Sequence, residues 1–200
     1  MHLTHRPIRP EDIPVICSFP QSPDELFYMF PKATYPLTPN QLSDAIAQRS
    51  GSTVVEANGA VLAFANFYKA EHGGVCALGN VVVAPAARGH GVASYLVNAM
   101  VELARKQFAA REVWVSCFNH NTAGLLLYPQ MGFVPFGIEA RQRAAGRGPQ
   151  RLPFIAPSGR PMAKTLGNQR RPDESCAPEP TPVDPGPPDR RVRHAAGETE

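Results

Sequence analysis

The residues whose types and spacing could do chemistry sit in the middle of the chain. The string Val81-Val82-Val83-Ala84-Pro85-Ala86-Ala87-Arg88-Gly89-His90-Gly91-Val92-Ala93 takes a β-branched run to a proline and then, through a glycine-spaced turn, into an amphipathic segment. A strand that turns this way into a helix offers unpaired backbone N–H groups and the positive end of a helix to a phosphate. Glycines at 89 and 91 let the backbone approach an anion, and Arg88 either contacts a phosphate or raises the potential at its rim. The spacing is neither the G-x-G-x-x-G of a dinucleotide fold nor a Walker loop.

Downstream, Val92, Leu96, Ala99, Met100 and Leu103 recur at three-to-four spacing, which predicts a helix from Gly91 to about Phe108. Glu112 to Phe118 reads as a second strand. After the polar bend Asn119-His120-Asn121, a short helix runs from Thr122 to about Met131 and stops at Gly132. Arg88-Gly89-His90-Gly91-Val92-Ala93 resembles the R/Q-x-x-G-x-G/A signature of the GCN5-related N-acetyltransferases (GNAT). Asn121-x-x-Gly124-x-x-Leu127-Tyr128-x-x-x-Gly132-Phe133 is similar to their N-x-x-A-x-x-L-Y-x-x-x-G-F segment, with Gly124 in place of the usual alanine.

The resemblance covers roughly residues 4 to 140 and implies an α/β domain with a mixed, mostly antiparallel sheet flanked by helices. It implies that the backbone of Val81, Val82 and Val83 pairs with the pantetheine arm of acetyl-CoA. The turn of Arg88, Gly89, His90, Gly91, Val92 and Ala93 would hold the pyrophosphate, Asn121 would hydrogen-bond the cofactor, and Tyr128 would lie near the thioester sulfur. The activity so implied is acetyl transfer from acetyl-CoA to a primary amine of a small molecule or protein. A non-catalytic acyl-CoA-binding protein with a damaged C-terminus is the alternative, and CoA release distinguishes the two.

In such a reaction the attacking amine must be neutral, an oxyanion develops on the acetyl carbonyl, and the departing thiolate needs a proton. A backbone N–H in the Val81 to Val83 strand could stabilise the oxyanion. Tyr128, with an unperturbed pKa of about 10, is the candidate acid; its plain alternative is a core tyrosine. The base stays open. Many relatives place a carboxylate beside this strand, whereas here its head is Asn80, which takes no proton. Glu71, His72, His120 and a water held by Asn80 are all candidates.

Composition separates a domain from an appendage. Of 200 residues 43% are hydrophobic, enough for a core, yet the aromatics concentrate before Gly137 and eleven of the 22 prolines fall between residues 149 and 188. The expected division is an acetyltransferase domain over 1–140, a basic linker over 141–156 and a disordered Pro-rich tail over 157–200. The linker's arginines lack aromatic interleaving or helical periodicity, so no nucleic-acid role is expected. Cysteines at 17, 76, 117 and 176 form no C-x-x-C pair, which argues against a metal site or a disulfide scaffold. With no secretory h-region and no apolar run near the roughly 18 residues of a membrane span, the expectation is a cytoplasmic protein without membrane contact. Its partners would be acetyl-CoA and an unidentified amine; a homodimer is compatible.

The first 80 residues build the rest of the domain. His2 to Ile8 is a candidate strand, and Pro10-Glu11-Asp12-Ile13 opens a helix. An aromatic loop with Phe19, Phe27, Tyr28, Phe30 and Tyr35 follows, borders the acceptor site by resemblance, and is otherwise core. Thr38-Pro39 opens a helix carrying Leu42, Ile46 and Ala47 inward. Thr53 to Glu56 and Val61 to Tyr68 pair as a hairpin across Asn58-Gly59, and Cys76 to Val83 extends the antiparallel run. The family's fold ends in two strands, the last lying inside the sheet. Phe133 to Ala140 supplies the first, but the candidate second, Arg151 to Ala156, contains Pro153. This predicts a poor or missing final strand and a replaced C-terminus, as an altered reading frame would produce.

Overall fold

Asn58 and Gly59 both take positive φ (50° and 79°), the backbone of a two-residue turn whose twist matches paired strands. They join β2 (Ser50–Ala57) to β3 (Ala60–Ala70), onto which β4 (Val75–Val83) folds back antiparallel. The computed structural model describes residues 1–137 and the strand pairing of residues 160–165. Its remaining strands are β1 (Thr4–Pro7), β5 (Glu112–Cys117), β6 (Val134–Pro135) and β7 (Arg160–Thr165), giving one sheet in the order β1-β2-β3-β4-β5-β7-β6. Among the described strands only β4 and β5 pair parallel, so the sheet is mixed and mostly antiparallel, as the resemblance implied.

Alternating side chains send the two faces of this sheet into two cores. Val55, Ala63, Phe67 and Val115 pack under α4 (Val92–Phe108), which contributes Val92, Leu96, Val97 and Met100; Leu96 and Met100 are fully buried, each stabilising by roughly 2–3 kcal/mol. On the opposite face Val54, Phe64 and Val82 meet Ile16 of α1 (Asp12–Cys17), Leu26 and Met29 of α2 (Pro23–Met29) and Leu42 of α3 (Pro39–Ala47). The inward face of α3 is Leu42 and Ala45; the expected Ala47 is exposed, one position past the buried stripe. Arg6 ties β1 to α1 and β2, gripping Asp12 bidentately at 2.7 and 2.9 Å and Glu56 at 2.8 Å, which holds the Asp12 carboxyl below its usual range.

Two expectations are corrected. The aromatic loop contains α2, whose start was legible as a capping box. Ser22 Oγ accepts from Glu25 N–H, the Glu25 carboxylate reaches back to Gln21 N–H at 2.8 Å, and Pro23 occupies the first turn.

The second correction concerns the final strand, which is present and lies at Arg160–Thr165 rather than at 151–156. It pairs antiparallel with β5 from Glu112↔Thr165 to Cys117↔Arg160, within the segment expected to be disordered. Its proline was not prohibitive because β6 reaches only Met162 and Ala163. At Pro161 one side of the strand has no described ladder to complete. The candidate at Arg151–Ala156, the whole basic linker over 141–156, and residues 166–200 lie outside the described residues.

Candidate active site

The parallel pairing of β4 with β5 runs from Val75↔Glu112 to Leu78↔Val115 and stops there. Beyond it β4 bulges: Asn66↔Gly79 is followed by Phe64↔Val82, so Asn80 and Val81 oppose the single residue Ala65, and Asn80 takes φ 53°. The strands separate at this bulge and leave the β5-facing edge of residues 79–83 without a strand partner among the described residues. A cavity of about 620 Å³ opens in the gap.

Across the gap stands α5 (Thr122–Gln130), started by Asn121, whose Oδ1 accepts from Gly124 N–H at 3.1 Å. Asn121 and Tyr128 line the cavity together with Val81. Tyr128 is buried, its ring edge-on to Phe133 at 5.7 Å, and burial raises its phenol pKa well above the ordinary value, with Cys117 adding to the rise. Tyr128 therefore keeps its proton at neutral pH and is competent as an acid. Burial also pushes the Cys117 thiol up to about 11, so this cysteine is a packed thiol rather than a nucleophile.

At the far end of β4 a short 3₁₀ turn (Pro85–Ala87) leads into the glycine turn, where Gly89 and Gly91 both hold φ 77°. A side chain at either would be strained although no atom lies within 4 Å of the Cβ position, so backbone conformation is what demands glycine here. Gly91 caps α4 without any side-chain hydrogen bond, leaving the first-turn N–H groups uncapped. Uncapped donors at the start of a 17-residue helix suit a pyrophosphate. His90 Nδ1 donates to Arg88 O at 2.8 Å. The Arg88 guanidinium is engaged elsewhere: it grips Glu25 at 2.8 and 2.9 Å and donates to the Phe19 and Val83 carbonyls, stapling α2 to the turn.

Residues 17–133 match the Acetyltransferase (GNAT) family. The chain belongs to this family. No curated protein matches it. Solved structures share the fold. The Vibrio cholerae spermidine N-acetyltransferase in complex with CoA and spermine has TM-score 0.64 and 17% identity over 82% of this chain and 95% of that one. For yncA of Salmonella typhimurium, solved with its cofactor acetyl-CoA, the TM-score is 0.59 and the identity 18% over 88% of this chain and 100% of that one. A ribosomal-protein-alanine N-acetyltransferase from Brucella melitensis has TM-score 0.60 and 18% identity over 82% and 99%.

In this GNAT protein the expected residues divide between two places. Val81, Asn121 and Tyr128 meet at the cavity, whereas Gly89, His90 and Gly91 form the turn and Val92 and Ala93 begin α4, and none of these five lines the cavity. Val82 sends its side chain into the core beneath α1 to α3, so only its backbone faces the gap. Glu71 and His72 occupy the β3–β4 turn at the opposite end of β4, where Glu71 N–H donates to Val75 O, roughly 13 Å along the strand from Gly79, and Glu71 pairs with Lys69 at 2.9 Å. His120 is exposed and is not in the cavity wall.

The other wall of the cavity combines Tyr28 and Phe30, from the aromatic segment expected to border the acceptor site, with residues that sequence patterns did not single out. Along α3, Gln41, Asp44, Ala45 and Gln48 face it at helical spacing, and Tyr28, Phe30, Arg49 and Tyr68 complete that wall. Arg49 stands under the bulge, donating from Nη1 to Asn66 Oδ1 at 3.0 Å and to Asn80 Oδ1, with its guanidinium carbon 5.4 Å from the Phe30 ring centroid. The Cβ of any other residue at Gly79 would come within 2.6 Å of Arg49 Nη1. That glycine was the only trace of the arrangement in the sequence, and it carries meaning only once Arg49 is placed beside it.

Proposed function

We propose that the protein transfers an acetyl group from acetyl-CoA to a primary amine. The observation that carries this is the break in β4–β5 pairing after Leu78↔Val115, with Asn121 and Tyr128 across the gap. The free edge of Val81 to Val83 would take the pantetheine arm as an added strand. The uncapped start of α4, reached through Gly89 and Gly91, would hold the pyrophosphate by its N–H groups, and Asn121 would hydrogen-bond the cofactor. Acetyl-CoA supplies an acyl group activated as a thioester.

Transfer forms a bond from the amine nitrogen to the acetyl carbon and breaks the carbon–sulfur bond. The amine loses a proton and the sulfur gains one. Tyr128, kept protonated by burial, donates to the sulfur, and a backbone N–H at the β4 bulge stabilises the developing oxyanion. Among the cavity-lining residues Asp44 is the sole carboxylate, and it is exposed. Asn80 accepts no proton. The amine therefore reaches the site neutral or releases its proton to water.

The test is turnover by purified protein given acetyl-CoA and a panel of amines, read as free thiol. Thiol release that depends on an amine supports the proposal. Tight acetyl-CoA binding without release under any amine identifies the non-catalytic acyl-CoA binder instead.

A further inference from the structure

Arg49 is a half-buried cation with only neutral partners among the described residues. Both of its hydrogen bonds leave from Nη1 and end on carboxamide oxygens, and no carboxylate lies within 4 Å of it among the described residues. Nε and Nη2 have no described hydrogen-bond partner, although the guanidinium carries donors on all three nitrogens. Neutral amides offset only part of the cost of taking a guanidinium out of water. Burial accordingly pulls its pKa down.

Two further donors are stranded beside it. Asn66 and Asn80 are 0% and 2% exposed, and the Nδ2 of each has no partner among the described residues. Of these, Asn80 lines the cavity with Arg49 whereas Asn66 does not; because buried polar groups are nearly always satisfied, a cation and an amide donor left open there describe a site for acceptor oxygens. The cavity wall adds Lys32 to Arg49, against the one carboxylate of Asp44. The spot is built rather than incidental, since Gly79 is side-chain-free where Arg49 Nη1 passes and the guanidinium carbon lies over the Phe30 ring, 5.4 Å from its centroid. The pyrophosphate turn is elsewhere: none of residues 88–93 lines this cavity.

On the reading that the protein is an amine acetyltransferase, we infer that its acceptor is a small amine carrying a carboxylate, and that Arg49 with Asn80 binds that carboxylate while the amine faces Tyr128. A planar guanidinium matches a carboxylate's two oxygens. Diamines and polyamines, which bring a second positive charge to Arg49 and Lys32, are disfavoured.

The experiment compares α- and ω-amino acids with their carboxamide counterparts and with diamines, using the full chain, acetyl-CoA and thiol release. Amino-acid amides have less basic amines and so hold more neutral nucleophile at neutral pH, which biases the comparison against the inference. The wild-type protein should still favour the carboxylate form by tenfold or more in kcat/KM. Arg49→Gln should bring that ratio close to one, chiefly through KM, with acetyl-CoA affinity by calorimetry unchanged within about twofold; Arg49→Lys should keep part of the preference. Equal or better turnover of amides or diamines overturns the inference and leaves the acetyltransferase proposal standing. Failure of every amine to release thiol overturns both. The wild-type comparison decides the matter even if the variants do not fold.

Discussion

Cys117 Sγ fills the space that a methyl group on residue 124 would need. A Cβ at Gly124 would lie 2.8 Å from that sulfur, 3.0 Å from Asn121 Nδ2 and 3.2 Å from the Tyr128 ring. The glycine that departs from the family's alanine is thus matched to the cysteine at the end of β5, and the two positions should be energetically coupled. Gly124→Ala alone should destabilise by about 1–3 kcal/mol, because overpacking outweighs the roughly 1 kcal/mol of helix propensity it gains. In the Cys117→Ala background the same change should be neutral or stabilising, giving a coupling energy of about 1–2 kcal/mol in urea unfolding. Additive single-site effects would mean that the two residues do not compete for space.

The φ of 77° at Gly91 sets the direction in which α4 aims its free N–H groups. Gly91→Val forces a β-branched residue into the left-handed region and should weaken acetyl-CoA binding by at least tenfold in calorimetric titration, while the far-UV circular dichroism stays near wild type. A folded variant with unaltered affinity would remove the turn from the cofactor site.

Removing the Tyr128 hydroxyl should lower kcat by roughly 10²- to 10⁴-fold in Tyr128→Phe, with little change in acetyl-CoA affinity. Burial raises the pKa of this phenol, so its proton is retained as pH climbs through the ordinary tyrosine value of about 10. No acid is lost while the acceptor amine deprotonates, and kcat/KM should rise from about pH 7 to about pH 10 without a descending limb. A bell-shaped profile with its upper limb below the acceptor's own pKa would assign the acid to another group.

Ending the chain after Gly159 would delete β7, which pairs with β5 at every position from Glu112 to Cys117. That truncation should abolish the cooperative thermal transition, since it opens an unpaired edge on each neighbouring strand. A chain ending at Gly167 retains the whole of the first contact unit, Met1–Gly167, and should still melt cooperatively. Survival of the shorter chain with an unchanged melting temperature would show that β7 contributes little.

What was legible in the sequence is what short-range physics encodes. The Asn58-Gly59 turn, the Thr38-Pro39 helix start and the two glycines before α4 depend on neighbours a few residues away and appear where they were expected; the α4 stripe is right at Val92, Leu96 and Met100, while Ala99 and Leu103 are only part-buried and Val97, Val101 and Ala104 fill the face instead. The start of α2 was written in the same terms, as Ser22-Pro23-Asp24-Glu25, and went unrecognised among aromatics that looked like a loop. Tertiary structure alone decided the contents of the site. Arg88 turns to Glu25, 63 residues away, and Arg49 reaches Asn80 across 31 residues, in each case because the fold brings a partner that no local pattern specifies. Arg160–Thr165 becomes an interior strand for the same reason: its place is set by backbone donors and acceptors on β5, to which hydrophobic periodicity is blind.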